Sequence, residues 1–325
     1  MKPMRTRTIG RVSVTELGFG AAQLGNLSRS VTDEDARAAV DEAWSQGIRY
    51  FDTAPHYGLG LSERRLGDAL ADRPRDDFVV SSKVGRLLID TPERAAAGVL
   101  DDAQGFIVPA THRRRWDFSR DGVMRSVEDT LDRLGFDRLD IAYLHDPDAH
   151  WEQASTSGVA ALMELRDQGV VGAIGAGMNQ ASMLARFVRE CDIDVVMVAG
   201  RLTLLDRTAQ LELLPLAAER KVAVVAAAVY NSGLLSTRIV SDDASFDYRQ
   251  ASPENIHAAK YLAASCEDAG CELPEAAVQF PLRDRGVASV VVGMRTPDHV
   301  RSAFRRYSAS VPAVAWRRLV EHSHM

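Results

Sequence analysis

Gly47-Ile48-Arg49-Tyr50-Phe51-Asp52-Thr53-Ala54 contains the unit whose repetition decides the fold. Just before it, Thr32-Asp33-Glu34-Asp35 predicts a helix start, with Thr32 as cap and Asp35 closing a capping box. Ala36, Ala39, Val40 and Ala43 give that helix its apolar stripe, and Gly47 ends it. Ile48–Asp52 then reads as a short buried strand, and Ser62-Glu63 opens the next helix. Further strands are expected at Leu17–Ala21, Phe78–Lys83, Leu139–Leu144, Val171–Gly175, Val195–Val198, Val222–Ala228 and Val287–Val292. They are rich in Val and Ile and apolar on both faces, as parallel strands covered by helices must be. Helices are expected between them, near Ser119–Leu134, Gly158–Gln168, Gln180–Glu190, Thr208–Arg220, Pro253–Ala269 and Pro297–Tyr307.

Eight βα units in succession predict an α/β protein, a (β/α)8 TIM barrel. The rival is an open doubly wound sheet, but Gly18-Phe19-Gly20-Ala21-Ala22-Gln23 does not form its GxGxxG phosphate loop. No composition shift splits the chain, so a single domain over residues 1–325 is expected. The segment Arg86–Phe118 holds Pro92, Gly98, Gly105 and Pro109, and reads as a long functional or mobile loop.

The formal net charge of -6 argues against nucleic acid as a partner. The basic run Arg113-Arg114-Arg115 is short and reads as a solvated loop. Cys191, Cys266 and Cys271 show neither a disulfide framework nor metal-ligand spacing, which suits a reducing cytoplasm. The start of the chain lacks a signal-peptide core, and the apolar run Val222–Tyr230 is too short to cross a bilayer. Expected, then, is a cytoplasmic monomer or homodimer acting on a small molecule, with no metal and no membrane. The tail Glu321-His322-Ser323-His324-Met325 reads as disordered surface.

The chemistry lies where polar residues close apolar strands. Asp52, Lys83 and His145 end the second, third and fourth strands, and Asn179 follows the fifth. In a barrel those exits share one face. Tyr57, five residues past Asp52, lies in a loop long enough to reach back over that face. A phenol is a poor acid or base near neutrality, but a neighbouring ammonium favours its ionised form. Lys83 can supply the ammonium, Asp52 can balance it, and His145 can hold the substrate oxygen. Together they make a tuned proton donor and acceptor.

These residues resemble the aldo-keto reductase superfamily along nearly the whole chain. The motifs are Phe51-Asp52-Thr53-Ala54-Pro55-His56-Tyr57-Gly58 with Ser62-Glu63, Ser82-Lys83-Val84-Gly85, Ser126–Leu134, and Asp140–Asp146. The resemblance implies that Tyr57 is the general acid/base, that Lys83 and Asp52 tune it, and that His145 orients the carbonyl or hydroxyl. It implies a nicotinamide cofactor lying across the barrel mouth, with Gly20, Ala21, Asp52, Asn179, Ala227, Ser232, Gly233, Leu235, Gly293, Arg295 and His299 as contacts. Three positions depart from the commoner pattern: Met178 replaces a Ser, Ala199 a Gln, and Ala227 a Tyr. Around Gly293-Met294-Arg295-Thr296-Pro297-Asp298-His299, only Arg295 is a firm cation, so the expected cofactor leans to NAD, with NADP as the other choice.

Leu144-His145-Asp146-Pro147-Asp148, Ala199–Arg207 and Asn231-Ser232-Gly233-Leu234-Leu235 are similar to one branch of the family. It contains aldose 1-dehydrogenases acting on L-fucose and other D-threo-aldoses, pyridoxal 4-dehydrogenases and plant-type L-galactose dehydrogenases. His56, Tyr57, Trp116, His145 and Asn231 are the candidate substrate contacts, with Trp116 as a possible wall. His112 and the arginines near it would instead favour a charged ligand. The alternatives are a pyridoxal dehydrogenase, a general aldehyde or ketone reductase, and a nucleotide-binding regulatory protein.

Overall fold

A computed structural model describes residues 4–247 and 249–321; positions 322–325, in the tail read as disordered surface, lie outside it. All eight expected strands form, as β1 (Leu17–Gly20), β2 (Tyr50–Asp52), β3 (Val79–Val84), β4 (Leu139–His145), β5 (Val171–Met178), β6 (Val195–Ala199), β7 (Ala223–Ala227) and β8 (Val287–Gly293). They close into one parallel barrel in which each strand pairs with its neighbours in sequence and β8 pairs with β1. The pleat divides each strand between two environments. Tyr50, Val79, Ile141, Tyr143, Val195, Met197 and Val225 fill the barrel interior. Phe51, Val80, Ala142, Leu144 and Val196 face the outer helices.

Apart from short turns of helix at Pro92–Ala96 and Trp151–Gln153, the α-helices are α1 (Asp33–Ser45), α2 (Leu61–Leu70), α3 (Arg120–Leu134), α4 (Val159–Asp167), α5 (Ala181–Glu190), α6 (Leu213–Arg220), α7 (Pro253–Asp268), α8 (Leu273–Gln279), α9 (Pro297–Ser308) and α10 (Ala313–Glu321). Thr32 caps α1 by accepting from the Asp35 amide at 3.0 Å, and the four expected apolar positions of that helix are buried. Ser119 caps α3 and Gly135 ends it in the left-handed region. The helix expected from Thr208 begins only at Leu213, after a separate turn at Thr208–Gln210. Pro215 then sits in the first turn, where its missing N–H is harmless.

Three antiparallel pairs were not expected; the smallest joins Ser245–Phe246 to Arg249–Gln250, and the other two are longer hairpins. Thr6–Ile9 pairs with Val12–Thr15 ahead of the barrel, and Ile9, Val12 and Val14 join the interior cluster, plugging the end opposite the site. Arg7 fixes this plug by donating to the carbonyls of Leu282 (2.9 Å), Asp284 (2.9 Å) and Val287 (2.7 Å). The second hairpin corrects the long-loop reading: Arg86–Asp90 pairs antiparallel with His112–Trp116. It leaves β3 through Gly85, whose φ is +98° and where a Cβ would lie 2.0 Å from the Phe118 ring. The basic run is therefore the returning strand, not a solvated loop. Arg113 and Arg115 are exposed, while Arg114 turns inward to Asp101 at 2.6 and 2.7 Å.

Candidate active site

Four side chains meet at the C-terminal mouth of the barrel. Lys83 is buried and donates to both carboxylate oxygens of Asp52, at 2.9 and 2.8 Å, and to the Thr53 carbonyl at 2.9 Å. Burial opposes its charge, but Asp52 and Tyr57 more than offset this, so its pKa is raised. The Tyr57 ring lies over the ammonium, its centroid 5.0 Å from Nζ, within cation–π range. Its loop is pinned by a close backbone approach. Gly58 has φ +63°, and a Cβ there would lie 2.3 Å from the Gly25 carbonyl oxygen.

His145 stands edge-on to Tyr57, with ring centroids 6.1 Å apart. Burial first, then the charges of Arg86 and Lys83, hold its pKa well below the ordinary histidine value, so the ring is neutral near pH 7. Its Nδ1 is buried and has no hydrogen-bond partner among the described residues. His56 lies 5.6 Å from it, ring to ring; burial and the same cations push its pKa down to about 2. A neutral imidazole can donate to, or accept from, a substrate oxygen.

Beneath the tetrad runs a chain of hydroxyls that strand pattern did not reveal. Ser81 donates to Asp52 at 2.6 Å. Tyr50 meets Ser81 at 3.1 Å, and Tyr143 meets Tyr50 at 3.3 Å. A carboxylate only accepts, so the proton order is fixed: Tyr143 to Tyr50 to Ser81 to Asp52. The Ser62-Glu63 motif is structural. Ser62 bonds the Ala21 carbonyl and Thr53, and buried Glu63 is held by Ser82, Thr130 and Arg133.

The tetrad opens into a cleft of ≈ 1010 Å³. Of the expected contacts, Gly20, Asp52, His56, Tyr57, Lys83, His145, Asn179, Ala227, Ser232, Gly233, Gly293 and Arg295 line it. Others do not. Ala21 and Leu235 are buried in packing. Asn231 is buried too, its amide donating to the Gly200 carbonyl at 3.2 Å, because a φ of +45° turns it inward. His299 stands outside the lining, its Nδ1 accepting from the Arg295 amide. Trp116 lines a second cavity of ≈ 380 Å³, which shares Asp146 and Asn179 with the first. Nor do His112 and Arg114 offer a free charge, since they face Asp90 and Asp101.

The sequence reading also missed Phe106, which joins the aromatic contacts of His56 and Tyr57, and the ion pair Arg86–Asp146 beside His145. It missed Arg29 as well, whose charge is felt at both Arg295 and His299. Nothing local in the sequence links Arg29 to that end of the chain.

The cleft fits an extended nicotinamide dinucleotide. Small residues floor it at Gly20, Gly177, Ala199, Ala227 and Gly293, and a cation, Arg295, stands just past the end of β8. Its buried Nε lacks a partner among the described residues. Barrel and mouth together define an oxidoreductase that interconverts a carbonyl and a hydroxyl. The model of the Aldo/keto reductase family matches residues 16–324, and the chain belongs to that family. A D-threo-aldose 1-dehydrogenase of a Pseudomonas species is 46% identical over 95% of this chain and 94% of its own. A pyridoxal 4-dehydrogenase of Microbacterium luteolum is 38% identical over 98% of this chain and 97% of its own. The holo form of an aldo-keto reductase from Bacillus halodurans superposes with a TM-score of 0.76 at 26% identity, covering 98% of this chain and 95% of that one. The chain is thus an oxidoreductase working with NAD(P), and no helix among its described residues is long and apolar enough to cross a membrane.

Proposed function

We propose that the chain oxidises the anomeric C1 hydroxyl of an aldose, L-fucose or another D-threo-aldose, to its lactone. The supporting observation is the intact tyrosine–lysine–aspartate–histidine mouth in a chain 46% identical to an aldose 1-dehydrogenase across almost its full length. The bound nicotinamide supplies the hydride acceptor. Asn179 and Ala227 would hold its nicotinamide half and Gly293 and Arg295 its phosphates, with Gly20, Ser232 and Gly233 also lining the cleft.

The chain's own residues handle the proton. Lys83 favours the ionised phenol of Tyr57, which takes the proton from the anomeric hydroxyl. His145, neutral, donates a hydrogen bond to the same oxygen as it becomes a carbonyl. Asp52 holds Lys83 in place and is itself held by Ser81. NAD remains the first choice of cofactor, since Arg295 already donates to the Leu27 carbonyl at 2.6 Å and Asp298 stands close by in sequence. We read the protein as a cytoplasmic monomer or homodimer; its three cysteines are all free thiols.

The test is a panel of L-fucose, other aldoses and pyridoxal with NAD+ and NADP+, following reduced-cofactor absorbance. Turnover of L-fucose or a related aldose is expected. Turnover of pyridoxal alone would overturn the reading in favour of the pyridoxal dehydrogenase, which the 38% relative favours.

A further inference from the structure

The second cavity, of ≈ 380 Å³, shares Asp146 and Asn179 with the main cleft and has an uneven charge balance. Most cations around the mouth face a carboxylate: Lys83 faces Asp52, Arg86 faces Asp146, and Arg114 faces Asp101. Asp148 is different. It lines this cavity, forms no ion pair among the described residues, and has a buried Oδ1 with no hydrogen-bond partner there. The Nε of Arg86, also on this wall, is likewise buried and unpartnered. Asn179 and Gln180 add amide groups to the lining, and the partly exposed ring of Trp116 adds apolar surface.

A carboxylate oxygen accepts hydrogen bonds only, and a buried one without a donor is costly. A ligand hydroxyl would meet that need with a charge-assisted bond. A ligand anion would not, because Arg86 already faces Asp146, and Asp148 adds a second carboxylate to a wall whose one other titratable group is His150. The influence of Asp148 extends to Asp146, whose carboxyl is raised by burial, against Arg86, with Asp148 adding to the rise.

We infer that this cavity is the subsite for the part of the sugar remote from C1, and that Asp148 selects there. It binds a neutral ring through a hydroxyl and turns away sugars carrying a carboxylate or phosphate. The inference rests on the aldose reading above. It names a substrate class, unphosphorylated and uncharged aldoses, and a residue that enforces it.

A matched pair of sugars tests it: L-fucose, and L-galacturonate, the same ring with a carboxylate at C6. kcat and KM are measured for the wild type, Asp148→Asn and Asp148→Ala, with thermal melts to confirm that each variant is folded. The wild type should prefer L-fucose. Asp148→Asn, which keeps the shape and loses the charge, should shrink that preference by about tenfold. Asp148→Ala should raise KM for L-fucose by about tenfold and leave kcat within about twofold, because the lost contact lies away from the reacting carbon. A wild type that uses L-galacturonate as well as L-fucose overturns the inference, as does a folded Asp148→Asn with the wild-type preference. A wild type that oxidises no aldose at all overturns the proposed function itself, and this inference with it.

Discussion

Replacing Lys83 by Met tests how the ammonium acts on the phenol. The Tyr57 ring centroid lies 5.0 Å from Nζ. With an effective dielectric constant of about 20, a unit charge at that separation is worth roughly 3 kcal/mol to the phenolate. The charge of Asp52 reduces this, so turnover near pH 7 should fall by about ten- to hundredfold. It should recover at high pH, where the phenol ionises unaided. The change also strands Asp52, which would retain only the Ser81 hydroxyl as a side-chain donor among the described residues. Leaving one member of a buried pair costs about 3–5 kcal/mol, so the single variant may be compared only where it is folded. The Asp52→Asn/Lys83→Met double variant removes both charges and avoids that cost. Steady-state oxidation of the best aldose across pH, beside a thermal melt, reads both effects. A folded Lys83→Met enzyme with wild-type activity and pH profile would refute the reasoning.

Three other outcomes follow from the same geometry. Tyr57→Phe should abolish turnover and still bind the cofactor, checked by fluorescence titration; retained wild-type activity would remove the acid/base role. Because His56 and His145 have pKa values depressed by burial, they stay neutral when folded and take up protons when unfolded. Their contribution is therefore whole above about pH 6.5 and is lost as pH falls below it, on the order of 1 kcal/mol per histidine by pH 5.5; His56→Gln should flatten the acid side of a melting-temperature profile, and an unchanged slope counts against the assignment. Arg29→Ala should weaken NADP+ more than NAD+, by about three- to tenfold in kcat/KM, if its charge reaches a 2′-phosphate near Arg295; equal loss for both cofactors would place Arg29 elsewhere.

The barrel was legible because each strand carries its own signal: Val- and Ile-rich, apolar on both faces, closed by a helix cap. The tetrad was legible for a related reason, since Asp52, Lys83 and His145 are polar where their strands should be apolar. What escaped depends on partners remote in sequence. His112-Arg113-Arg114-Arg115-Trp116 has no apolar alternation and becomes a strand only by pairing with Arg86–Asp90. Tyr50 and Ser81 look like ordinary strand residues until the closed barrel turns both inward beneath Asp52. Asn231 looked like a substrate contact, but a left-handed backbone turn commits its amide to Gly200.

The Arg7 contacts say something about the order of assembly. The hairpin that stoppers the closed end is synthesised early, yet the carbonyls that clasp Arg7 belong to Leu282, Asp284 and Val287. A growing polypeptide therefore cannot close the Arg7 clasp until the start of the eighth strand emerges. Such distant pairings are slow to form, so the stopper is locked only late in the making of the barrel.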